Sequence, residues 1–282
     1  MTKGAAAAPL KKPKLGQHFL RDEHAVIQIV EALGDISKHT VLEIGPGPGI
    51  LTVPLARKAR QLIAIEMDRV LAAQLSLKFA LATNVEVIEA DVLSIDFDTL
   101  FAPRPGMLRP GIARALERVH VVGNLPYYIT SDILLHLFRF QQYFHRVVIM
   151  VQSEVADRLA AKPGGREYGL LSATTQLHAR VEKLFSLPPS AFQPPPKVNS
   201  AVVRLTMEPK AERLGIRVPE FMEFLKLVFA QKRKTLWNNL KISYPERTIT
   251  AALDKTGTQP GVRAEALPLE TMSAIFRGLN ES

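Results

Sequence analysis

Asn124-Leu125-Pro126-Tyr127, reached by the strand-like Val119-His120-Val121-Val122, is the segment whose residue types come nearest to one specific chemistry. The exocyclic amine of adenine has its nitrogen lone pair delocalised into the ring. Methylating it therefore needs acceptors that hold the N–H bonds and draw that pair back to nitrogen. The side-chain oxygen of Asn124 and the carbonyl of Leu125 can each accept one N–H, while Pro126 removes a competing backbone donor and fixes the turn. Tyr127 offers a ring face on which a flipped-out base can stack. The same residues also suit a proline-ended strand with Tyr127 and Tyr128 filling a core, and the tetrapeptide alone does not separate the two.

The elements that must position this quartet are legible upstream. An apolar run, Thr40 to Ile44, enters Gly45-Pro46-Gly47-Pro48-Gly49 and is followed by helix-like Leu51 to Lys58. Glu43, Gly45 and Gly47 in that setting read as a nucleotide-cofactor loop, because glycine lets the backbone approach a ligand closely. A dinucleotide loop or a ligand-free glycine turn would look the same. The next strand, Gln61 to Ile65, ends at Glu66, whose carboxylate can accept both hydroxyls of a ribose, although a solvated strand end also fits. A helix through Leu81 leads to Val85-Glu86-Val87-Ile88 and then Asp91, which can accept from an adenine amine. Asn124 ends the fourth strand. Open α/β sheets bind ligands at the carboxyl edge of their strands, so these groups predict one site with the base reader beside the reactive end of the cofactor. S-adenosylmethionine suits it better than NAD, since hydride transfer has no use for the Asn124 quartet.

Strands alternating with helices predict an α/β fold with a Rossmann-like, parallel, doubly wound sheet over residues 22–208. Residues 1–21 form a basic arm containing Lys3, Lys11, Lys12, Lys14 and Arg21 and no acid. Arg104 to Glu117 reads as a long surface connection without chemistry. Helices are expected over Ser131 to Phe140 and Ser153 to Ala161, with strands over Arg146 to Gln152 and Ser200 to Thr206. Glu208 to Pro219 reads as a linker into a small all-helical domain, residues 209–282. In that domain a helix would turn Phe229, Leu236 and Leu240 inward. Lys226, Lys232, Arg233, Lys234 and Lys241 would face outward, as a solvated surface or as contacts to an RNA backbone.

The whole chain agrees with a polyanionic partner. It has 282 residues with 36 Lys and Arg against 27 Asp and Glu, a net +9, which makes nucleic acid the first guess. With no cysteine, disulfides, thiolate nucleophiles, iron–sulfur clusters and Cys-ligated zinc are excluded, and with them methyltransferases that need a cysteine adduct or a radical cluster. No metal site is expected. No apolar stretch approaches the ~20 residues that span a bilayer, and Ala5 to Leu10 is too short for a signal core, so a cytoplasmic protein is expected.

Taken together, the motifs resemble the KsgA (RsmA) family, the adenine-N6 dimethyltransferases of small-subunit ribosomal RNA. The resemblance covers nearly the whole chain. Its elements are Lys14-Leu15-Gly16-Gln17-His18-Phe19-Leu20, Leu42 to Gly49, Glu66, Asp91, Asn124 to Tyr127, Phe192-x-Pro194-x-Pro196-Lys197-Val198-x-Ser200, Phe229-x-Gln231 to Leu236, and Arg263-Ala264-Glu265. It implies that Gln17, His18 and Leu20 close over S-adenosylmethionine, that Gly45 and its neighbours line it, and that Glu66 holds its ribose and Asp91 its adenine. Phe192 would sandwich the target adenine against Tyr127, or else simply anchor a proline-rich loop to the core. The implied substrate is a pair of adjacent adenosines near the 3′ end of 16S ribosomal RNA, presented within an assembling small subunit to a monomeric enzyme. His18 stands where the family more often carries Asn. A large-subunit RNA or DNA adenine methyltransferase, and a non-enzymatic assembly factor, are the competing classes.

Overall fold

The computed structural model describes residues 18–102 and 118–280. In chain order its elements are β1 (Phe19–Leu20), α1 (Glu23–Ala32), β2 (Thr40–Ile44), α2 (Thr52–Lys58), β3 (Gln61–Glu66), α3 (Arg69–Lys78), β4 (Val85–Glu89), α4 (Phe97–Phe101) and β5 (Val119–Asn124). There follow α5 (Thr130–Arg139), β6 (Phe144–Gln152), α6 (Ser153–Ala160), α7 (Leu170–His178), β7 (Ala179–Leu187), β8 (Phe192–Gln193) and β9 (Ser200–Met207). The helices α8 (Ala211–Leu214), α9 (Val218–Phe229), α10 (Leu236–Leu240), α11 (Glu246–Lys255) and α12 (Leu269–Asn280) complete the chain. None of the described helices is long and apolar enough to cross a membrane.

Seven strands form one sheet in the order β4-β3-β2-β5-β6-β9-β7. The first five are parallel. The expectation of a parallel sheet fails at the far edge, where β9 runs antiparallel to both β6 and β7. The connection from β7 through β8 into β9 carries no crossover helix, and without one the chain can only return antiparallel.

The central strands are apolar on both faces because helices cover both. Successive side chains point to opposite sides of a strand, and the packing shows it. Leu42, Ile63, Val121 and Val147 join a core with Phe97 of α4 and Ile133 and Leu137 of α5. Their neighbours Val41, Leu62, Val122 and Val148 join another with Ile29 of α1 and Leu55 of α2. Side-chain caps start α1 and α3: the Asp22 carboxylate accepts from the Ala25 N–H, and Asp68 accepts from Val70 and Leu71.

A third core holds the C-terminal helices together, through Phe221, Leu225, Leu236, Leu253, Met272 and Ile275, but it also contains Tyr168, Ala173 and Leu177. The helices thus share a core with α7 and the loop before it, so a boundary at residue 208 does not divide the packing. The expected linker contains α8 and the start of α9, and the expected continuous basic helix is broken after Phe229. Lys232, Arg233 and Lys234 lie exposed in the turn between α9 and α10.

Two histidines are buried within this framework. On β5, His120 sits edge-on to the rings of His39 and His145, at 5.1 and 5.4 Å between centroids. At the end of α7, His178 stacks on Phe138 at 4.8 Å. Burial pushes His120 down to about 3, helped by His39, His145 and Arg146, and burial alone pushes His178 down to about 4. Both are neutral when folded, whereas the unfolded chain protonates them below about pH 6.5. Their stabilising contribution is complete above that pH and is lost as the pH falls toward about 4 and 3. The urea midpoint should therefore drop between pH 7 and 4.5, and His120→Leu should drop more shallowly. An equally steep fall in that variant would contradict the assignment.

Candidate functional site

One cavity opens at the carboxyl edge of β2, β3, β4 and β5. It is lined by His18, Gly45, Gly47, Glu66, Asp91 and the run Asn124 to Tyr127. The backbone ladder brings them together: Ile44 pairs with Ile65 on one side and with Gly123 on the other. The next residue of each strand therefore emerges at the same height. A Cβ at Gly123 would stand 2.7 Å from the Ile44 carbonyl oxygen, so only glycine allows this close approach just before Asn124.

Glu66 is 4% exposed and binds the loop beside it. Its Oε2 accepts from the Gly47 N–H and its Oε1 from the Asp68 N–H, both at 2.9 Å. A carboxylate can accept further bonds at each oxygen, so two ribose hydroxyls still find acceptors. Asp91 lies two residues beyond the end of β4 rather than at the strand end. It caps the short turn Val92–Ser94 by accepting from Leu93 at 2.9 Å. The apolar side chains Ile65, Met67 and Val92 line the same region, a surface suited to a planar purine.

The acceptor quartet is held from several directions. Asn124 donates through Nδ2 to the His18 carbonyl at 2.7 Å, which fixes the amide orientation and makes Oδ1 its acceptor end. The Pro126 carbonyl accepts from the Ile129 N–H at 3.2 Å and from the Thr130 hydroxyl at 3.0 Å, starting α5 without using the Leu125 carbonyl. The Tyr127 hydroxyl is bonded to that of Ser200 at 2.8 Å, and its ring carries the His18 imidazole at 5.9 Å between centroids.

His18, Phe19 and Leu20 form a strap over the cavity. β1 pairs with β8, and His18 Nδ1 donates to the Pro194 carbonyl at 2.7 Å. Because a carbonyl can only accept, Nδ1 carries the proton. Phe19 packs on the glycine loop, where a Cβ at Gly47, whose φ is +56°, would meet its ring at 2.8 Å.

Three expected site residues lie elsewhere. Within the strap, Leu20 packs into the core with Phe192 rather than lining the cavity. Phe192, 3% exposed, packs with Leu20, Leu187 and Ala191, so its ring anchors the loop and does not form a second cavity wall against Tyr127. Glu43, 1% exposed, sits in β2 beneath the glycine loop. Gln17, Lys11, Lys12 and Lys14 lie outside the described residues. Conversely, Phe19 and Tyr128 line the cavity. Phe19 was inside a motif already singled out, whereas Tyr128 had no signal beyond being aromatic.

The matching family model, described as ribosomal RNA adenine dimethylase, covers residues 9–281. The chain belongs to that family. Among similar members, the ribosomal RNA small subunit methyltransferase A of Koribacter versatilis is 54% identical over 97% of this chain and 96% of its own length. The protein of the same name from Acidobacterium capsulatum is 52% identical over 98% and 94%. Of solved structures, a dimethyladenosine transferase from Plasmodium falciparum shares the fold with a TM-score of 0.78 at 24% identity, covering 94% of this chain and 98% of that one. The 23S rRNA methyltransferase ErmE aligns with a TM-score of 0.67 at 29% identity, covering 93% and 99%.

The loop of this dimethylase-family member rests on a neutral acid. Burial pushes Glu43 up to about 8, opposed by the nearby Thr52 hydroxyl and reinforced by the charge of Glu66. Its contribution to stability is present below about pH 4.5, the ordinary value, and is lost as the pH rises through about 8. Glu43→Gln keeps the shape and removes the titration. Above about pH 6.5, where the two buried histidines no longer titrate, wild-type stability should decline toward pH 8 and this decline should flatten in the variant; parallel denaturation curves across that window would argue against a protonated Glu43.

Proposed function

We propose that the protein transfers methyl groups from S-adenosylmethionine to N6 of two adjacent adenosines near the 3′ end of 16S ribosomal RNA in the assembling small subunit. The products are N6,N6-dimethyladenosines and S-adenosylhomocysteine. The observation that carries this reading is the Asn124 amide, locked by the His18 carbonyl with its oxygen as acceptor, in the same cavity as Glu66, Asp91 and the glycine loop.

The donor set fits the cofactor. Glu66 receives the ribose hydroxyls, Asp91 the adenine amine, and Gly45 and Gly47 allow the backbone to approach. When bound, S-adenosylmethionine supplies a methyl group on a sulfonium, a strong enough electrophile that no side chain need be a nucleophile. The protein supplies position and electrostatics. Asn124 and Leu125 accept the amine N–H bonds and stabilise positive charge developing on N6. Tyr127 supports the base from a position fixed by Ser200, while Phe192 acts from behind by anchoring β8. No strong base is required, because the amine proton becomes acidic once the new bond has formed.

RNA backbone contact falls to the exposed turn of Lys232, Arg233 and Lys234 together with the basic arm. Lys226 and Lys241 are paired with Glu223 and Glu246, each at 2.7 Å. Arg233 and Lys234 have no ion-pair partner among the described residues. The enzyme acts as a cytoplasmic monomer.

Purified protein should transfer labelled methyl to undermethylated small subunits and not to mature ones, with N6,N6-dimethyladenosine found by mass spectrometry. Asn124→Ala should lower turnover by about 10²–10³, as for loss of one polar group that stabilises transition-state charge; near-normal turnover would remove Asn124 from its role. Glu66→Ala should weaken S-adenosylhomocysteine binding by roughly tenfold or more, since hydrogen bonds to a charged group contribute about 1.5–3 kcal/mol. Unchanged affinity in calorimetry would contradict the ribose assignment.

A further inference from the structure

The two adjacent tyrosines of the acceptor segment are treated differently by the fold. Tyr127 is half-buried, its hydroxyl bonded to Ser200 and its ring stacked on His18. Tyr128 also lines the cavity, yet it is 62% exposed. Among the described residues it has no hydrogen-bond partner and no ring contact. The other described tyrosines contrast with it where they carry a contact: Tyr143 donates to Asp98 at 2.7 Å, and Tyr168 is buried against Phe229. An aromatic side chain left unpartnered at the mouth of a cavity presents a large apolar face to solvent with nothing in the chain to cover it.

We propose that Tyr128 is the stacking platform for the nucleotide base next to the target adenine. The inference rests on the reading of the cavity as an adenine-N6 methylation site. A base drawn into that cavity stays tied through its backbone to a neighbour that must remain at the mouth, and its own extrusion removes a stacking partner from that neighbour. The Tyr128 face stands at that mouth. Base–aromatic stacking tolerates any base because each has a π-face. The platform therefore accepts whichever nucleotide flanks the target, including a second adenosine before or after its own methylation. Tyr127 and Tyr128 divide the work: the anchored ring serves the reacting base, and the free ring holds its neighbour and sets how long the RNA stays in register.

The test uses the full chain with undermethylated small subunits as substrate, comparing Tyr128→Ala and Tyr128→Phe with the wild type. Tyr128→Ala should raise KM for the particles by about 5- to 150-fold, the loss of one base–aromatic stack. Tyr128→Phe, which keeps the face and loses only the hydroxyl, should stay within about twofold. S-adenosylhomocysteine affinity measured by calorimetry should be unchanged in both, because Tyr128 acts on RNA. A short RNA carrying 2-aminopurine beside the target adenine should lose fluorescence on binding the wild type and Tyr128→Phe, but not Tyr128→Ala. An unaltered KM and undiminished quenching in Tyr128→Ala, with an active wild type, would overturn the platform alone. Equal damage in the Phe and Ala variants would overturn it too, by assigning the effect to the hydroxyl. A wild type that methylates no adenine would remove the parent reading and the platform with it.

Discussion

The site depends on one backbone constraint, the parallel register of β2 with β3 and β5. With Ile44 held level with Ile65 and Gly123, the residues that follow have no freedom in height, and Gly45, Glu66 and Asn124 leave the sheet together. A one-residue slip would turn every strand side chain to the opposite face and exchange the members of the two cores, so hydrophobic burial on both sides enforces the register. Gly123 is the tightest point, because its missing Cβ lets β5 lie against the Ile44 carbonyl. The geometry of the cavity edge is thus a consequence of core packing some distance below it.

The strap is the second determinant, and it works through a few local contacts. Residues 18–20 touch each half of the cavity: Phe19 lies on the glycine loop, the His18 carbonyl holds Asn124, and the His18 ring covers Tyr127. The opposite side of the strap is pinned to β8 and Pro194. Each neutral hydrogen bond contributes only about 1 kcal/mol net. The burial of Leu20 with Phe192 is therefore the larger part of what keeps the strap down. This explains why Phe192 sits in the core: removing it from solvent fixes β8, and β8 in turn fixes the strap that orients the acceptor amide.

Charge is arranged to match. With Glu43 kept neutral by burial beneath the glycine loop, Glu66 and Asp91 are the carboxylates that line the cavity. In the helical region Arg213, Arg217, Lys226 and Lys241 are held in ion pairs, whereas Arg233 and Lys234, in the turn between α9 and α10, have no ion-pair partner among the described residues. Breaking the helix after Phe229 is what exposes them.

The sequence by itself determined the α/β class, the alternation of strands and helices through β6, the glycine loop, and Glu66, Asn124 and Tyr127 as members of one edge. These are local properties: strand ends, glycine spacing and apolar runs follow from neighbouring residues and from the chirality of the chain. Only the tertiary structure decided the antiparallel far edge of the sheet, the core shared by α7 and the C-terminal helices, and the partners of individual polar atoms. Periodicity shows that Phe192, Leu20 and Glu43 are apolar or acidic at the right places, but not whether they face a cavity or a core, since either direction satisfies the same pattern. That choice is made by contacts between residues more than a hundred positions apart, such as Asn124 with His18 and Leu20 with Phe192, which no local pattern encodes.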